Sequence, residues 1–125
     1  MTQKTELPHL SSEQLKVLER YAQLEATLDE VRCSLAGLME FNFEPETRRL
    51  NAFFRVPEPG ISISREHIEN ALSKKRIGKL GEKDLVNWAS MLLMNDAYEF
   101  DPADEDFIAD WLNDISYNLD PTSED

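Results

Sequence analysis

Asp106, Asp110 and Asp114 recur every four residues in a segment of helical patterning, which sets three carboxylates in one line along a helix. Like charges at that spacing destabilise a helix by about 0.2–0.5 kcal/mol per pair, and Asp114 falls toward the helix end, where a cation is favoured. Folding gains nothing from the line, so it is either a solvating face or a recognition surface for a basic partner, and the three aspartates are the candidate partner-binding residues. The other chemistry-bearing residues assemble into no motif. The densest acid cluster, Asp101 to Asp110, is interrupted by Pro102, Ala103 and Phe107 and lacks the glycine of a calcium loop. His67 has Glu66 and Glu69 nearby but no second histidine four residues on, so a zinc hydrolase site is not supported; His9 lies in the expected N-terminal tail. Cys33 is the only cysteine, with Arg32 beside it and no legible histidine partner. Gly78-Lys79-Leu80-Gly81 has neither the spacing nor the Lys-Ser/Thr ending of a phosphate loop and reads as a turn. The expectation is a non-enzymatic protein with no catalytic residues, no metal and no cofactor.

The charge distribution narrows the partners. The chain has 125 residues and a formal charge of −12, yet all 13 Lys and Arg lie within residues 1–83, where 13 acids balance them. The whole negative charge therefore resides in residues 84–125. Such a surface repels phosphate backbones and anionic headgroups, which argues against nucleic acid and membranes and favours a basic protein. A basic patch of Lys74, Lys75, Arg76, Lys79 and Lys83 sits just upstream, where it complements a helix C-terminus or pairs with the acids. The N-terminus carries no apolar stretch of signal-peptide length, and the longest apolar run is Met91-Leu92-Leu93-Met94. With a single cysteine, a reducing, cytoplasmic setting is expected.

The elements that must position these residues follow from periodicity. Residues 1–10 read as a flexible tail, residues 11–119 as a single globular domain and residues 120–125 as an acidic tail. Ser11-Ser12-Glu13-Gln14 reads as a capping box, after which Val17, Tyr21, Leu24, Leu28, Val31 and Leu35 form a narrow apolar seam up to Ala36-Gly37. The spacing predicts one helix of about 25 residues, long by the usual standard. Its seam faces the domain core or, alternatively, a second copy in a homodimer. Met39, Phe41 and Phe43, then Leu50, Ala52, Phe54 and Val56, alternate with a period of two and predict a β-hairpin over about residues 38–56. Ser64 caps a second helix, with Ile63 packing on Ile68 as a hydrophobic staple and a stop near Gly78. A third starts at Gly81 and is apolar around most of its circumference (Leu85, Val86, Trp88, Ala89, Met91 to Met94), which marks a central core helix. Asp101-Pro102 opens a fourth, expected to bury Phe107, Ile108, Trp111, Leu112, Ile115 and Leu119. The fold class is α+β, mostly helical, with an all-α bundle as the alternative.

From Ile61-Ser62-Ile63-Ser64 through Leu85-Val86-Asn87-Trp88-Ala89 to Phe107-Ile108-Ala109-Asp110-Trp111-Leu112, the second half resembles small acidic helical proteins of bacterial toxin-immunity systems, of the colicin-immunity kind. The resemblance covers about half the chain, rests on no family-specific motif and carries over no functional residue. It implies a non-enzymatic inhibitor that covers a cationic site on a nuclease toxin with its acidic helix. The alternative function is an oligomeric structural module built on the N-terminal helix.

Overall fold

A computed structural model describes residues 7–43 and 48–118 and has the expected α+β, mostly helical architecture. Its elements are α1 (Ser12–Ala22), α2 (Leu28–Ser34), β1 (Met39–Asn42), β2 (Arg49–Ala52), β3 (Ile61–Ile63), α3 (Arg65–Arg76), α4 (Glu82–Met94), β4 (Tyr98–Phe100) and α5 (Glu105–Asn113). A 3-10 turn, Pro102–Asp104, leads into α5, and a π-helical turn, Asp114–Asn118, follows it. The tail expected over residues 120–125, and Leu119, lie outside the described residues.

The single long helix predicted from the seam is instead two helices. α1 ends at Ala22, and Leu24 takes a left-handed φ of 62°, a conformation that costs a branched side chain roughly 1–2 kcal/mol. One long-range bond and one local bond hold the break. The Trp88 indole Nε1–H donates to the Ala22 carbonyl at 3.0 Å, and the Arg20 guanidinium donates to the Glu25 carbonyl at 2.8 Å. Thr27 then starts α2 with a capping box of its own, in which its Oγ1 accepts from the Glu30 amide and Glu30 Oε1 accepts from the Thr27 amide. The two helices pack on each other. A dimer contact along one continuous seam has no such helix to use.

The hairpin forms as expected, with β1 and β2 antiparallel and Phe41 opposite Leu50; Met39, Phe41 and Phe43 are buried. On its second arm Phe54 is buried, whereas Ala52 and Val56 are exposed. Unexpected from the sequence is a second pairing, in which β3 and β4 run parallel with Ile63 opposite Phe100, joined across α3 and α4. Three residues per strand are too few to show alternation. Ile63 and Ile68 are both fully buried at the start of α3, and Gly78, with φ of 80°, ends that helical segment as expected. The chain ahead of α1 is tied down as well: the Arg55 amide donates to the Pro8 carbonyl at 2.8 Å and Leu10 is buried. Residues 8–10 thus belong with the folded body and not with a tail.

The core is one cluster with α4 at its centre, as its apolar circumference predicts: Leu85, Val86, Trp88, Ala89, Met91 and Leu92 are all buried. Buried polar groups inside it are paired, as they must be. Ser90 Oγ meets Ser116 Oγ at 2.8 Å, the Tyr98 hydroxyl donates to the Leu18 carbonyl at 2.7 Å, and Asn95 Oδ1 accepts from the Ala97 amide at 2.9 Å. Burial, followed by the neighbouring Tyr21, holds the Tyr98 hydroxyl well above its ordinary pKa, so it remains a donor. No helix among the described residues is long and apolar enough to cross a membrane.

Candidate functional site

Helix α5 is built by the residues that announce it. The Asp101 carboxylate accepts from the Ala103 amide at 3.0 Å, Pro102 occupies the first turn, and Glu105 and Asp106 meet the positive end of the helix dipole. Ile108, Leu112 and Ile115 are buried on one side and fix the opposite side toward solvent. Asp106, Asp110 and Asp114 are all exposed there, on α5 and the first residue of the π turn.

Trp111 departs from expectation. The sequence places it in the core, yet it is 38% exposed, at the edge of a buried stripe made by Ile108, Leu112 and Ile115. Phe107, one turn earlier, is half-buried. At i, i+4 these two aromatics form a row displaced by one residue from the aspartate row, so an apolar ridge runs beside an anionic one. The Arg65 guanidinium already engages this surface: it lies 3.8 Å from the Phe107 ring centroid and 3.5 Å from an Asp104 carboxylate oxygen. One cation is thus held by an aromatic face and a carboxylate together.

The remaining candidates have structural roles or none in common. His67 is the third residue of α3, where its Nδ1 accepts the Ser64 amide at 3.0 Å and so completes the helix cap. Burial lowers the His67 pKa below its ordinary 6.5, against an opposing pull from Glu66. A ring that accepts at Nδ1 is neutral, so protonation favours the unfolded chain. The stability this contributes is complete above pH 6.5 and is lost as pH falls through the lower folded-state value. His67→Gln keeps an acceptor at the cap and removes the titration. Urea midpoints measured from pH 7.5 to 5 (about the window in which a histidine titrates) are expected to fall further for the wild type than for this variant. Parallel curves would remove His67 from the account.

His9 Nε2 lies 3.3 Å from an Arg55 guanidinium nitrogen on the surface, and Cys33 is an exposed free thiol. Among the described residues no group of three His, Cys, Asp or Glu is disposed to hold a metal ion. Comparison with known proteins finds no matching family model, no matching curated protein and no matching solved structure.

Proposed function

We propose that this protein is a non-enzymatic binding domain whose α5 surface covers a basic site on another protein. The observation that carries this reading is the exposure of Trp111 beside Asp110 and Asp114, since a tryptophan flanked by charges of one sign is the composition of an interface centre with its rim. A face that served only solubility has no need of the indole. Arg65, lying on Phe107 and Asp104, supports the same reading by displaying the chemistry a partner's arginine would repeat on Trp111. The purely anionic last third speaks against nucleic acid as partner. An inhibitor or immunity role, in which the acidic helix occludes a cationic nuclease surface, is the specific form of this proposal. The exposed thiol of Cys33 suits a reducing, cytoplasmic setting.

The test separates the aromatic from the charges. Trp111→Ala is expected to speed dissociation of a basic partner, by tenfold or more if Trp111 is a hot spot worth about 2 kcal/mol. Asp106→Asn/Asp110→Asn/Asp114→Asn is expected to slow association mainly at low salt. The triple variant should unfold close to the wild-type temperature, because its three carboxylates are exposed, and Trp111→Ala somewhat lower, because the indole is only 38% exposed, while remaining folded. Capture of the same partners with the same kinetics by wild type and both variants would sink the proposal.

A further inference from the structure

The break between α1 and α2 faces the turn between α3 and α4 across a pocket of about 550 Å³, a size typical of small-molecule sites. Leu24, Ala26 and Leu28 line it from the first side and Leu80 from the second. Tyr21 also lines it and is only 4% exposed, yet its hydroxyl has no hydrogen-bond partner among the described residues. The hydroxyl oxygen itself is not cut off from solvent, so it is a donor open to whatever enters the pocket. Burial, and then the Asp84 charge, holds it far above its ordinary pKa, so it faces the pocket as a donor.

Four charges share the same walls. Asp29 comes from the first side, and Lys74, Lys79 and Asp84 from the second. Ion pairs among the described residues join Arg20 to Glu30 and Arg65 to Asp104, and neither uses a charge of the pocket. Two cations, two carboxylates, one hydroxyl donor and an aliphatic lining thus border one cavity with no ion pair joining the charges; Asp29, Lys79 and Asp84 are solvent-exposed and Lys74 is half-buried. A simple anion would leave the carboxylates unmatched and would approach against a net charge of −12. A simple cation would leave both lysines and the hydroxyl unmatched. A ligand that carries both charges close together on an apolar body complements the whole set.

We propose that this pocket binds a free amino acid with an apolar side chain. Its carboxylate is received by Lys74 or Lys79 and by the Tyr21 hydroxyl, its ammonium by Asp84 or Asp29, and its side chain rests among Leu24, Leu28 and Leu80. The site shares no residue with α5, so it stands or falls independently of the protein-binding surface.

Titration of the isotope-labelled whole protein with L-leucine and L-phenylalanine, followed by amide chemical shifts, tests the assignment. Saturable shifts at Leu24, Leu28 and Leu80 are expected with at least one of the two. Phenethylamine, which lacks the carboxylate, and 3-phenylpropionate, which lacks the ammonium, are expected to bind at least about tenfold more weakly than L-phenylalanine, since each forfeits a charge-assisted contact; isopentylamine and 4-methylvalerate serve in the same way for L-leucine. Tyr21→Phe is expected to weaken binding several-fold at an unchanged melting temperature, because the hydroxyl bonds to no described residue. The analogue series keeps the test decisive even where that variant misfolds. Absence of saturable shifts with both amino acids, as when Asp29 and Lys79 close the pocket by pairing across it, would overturn the proposal, and so would equal affinity for the single-charge analogues.

Discussion

Trp88→Ala is expected to destabilise the protein by about 3–5 kcal/mol, a fall in melting temperature of roughly 10–20 °C for a domain of this size. The indole is fully buried at the centre of α4. Its removal leaves a cavity and also strips the Ala22 carbonyl of the partner that ends α1. Trp88→Phe separates the two effects, since it keeps much of the apolar volume and removes only the N–H; a loss of about 1–3 kcal/mol is expected from the unsatisfied carbonyl and the smaller ring. Hydrogen exchange adds a local readout: in Trp88→Phe the amides of Gln23 and Leu24, which bond back to Glu19, Arg20 and Tyr21 carbonyls, should lose protection more than those of α5. Uniform loss across both regions would mean that the indole bond does not hold the break.

Leu18→Ala is expected to cost about 2–5 kcal/mol, and Leu28→Ala less, because Leu18 is fully buried whereas Leu28 is half-buried and borders the pocket. The seam read from the sequence runs through Leu28 and passes over Leu18, so a continuous α1–α2 helix packed along that seam requires the reverse order. Denaturant midpoints of the two variants decide between them. The midpoints are also expected to be independent of protein concentration, as they would not be if a homodimer contact supported the helix.

Much of the candidate surface was legible from residue types and spacing. Capping chemistry located the starts of α1, α3 and the α5 segment, because the Ser11 and Asp101 side chains accept from amides two or three residues on and the Ser64 amide donates to His67 Nδ1 three residues on. Thr27-Leu28-Asp29-Glu30 carried the same signal for α2. A periodicity that continues through Leu24 and Leu28 hides it, since a run of apolar residues at helical spacing does not reveal that the backbone between them turns. The exposure of Asp106, Asp110 and Asp114 was legible too, because Ile108, Leu112 and Ile115 dictate which side of α5 turns inward. That of Trp111 was not, because a large apolar residue at the edge of a helix's buried stripe reads from composition and spacing as if it were inside it.

The sequence by itself determined the fold class, the buried face of the first hairpin arm, the central place of α4 and the anionic character of the last third, all of which depend on local spacing or on composition. The parallel pairing of β3 with β4, the break at Leu24 and the pocket behind it were decided only by tertiary structure. Each depends on residues far apart in the chain: Ile61 meets Tyr98, and Trp88 reaches Ala22. A left-handed leucine is unfavourable locally, and it persists here because the burial of Trp88 and its bond to the Ala22 carbonyl fix the end of α1, stabilising the folded chain by more than the strained residue costs.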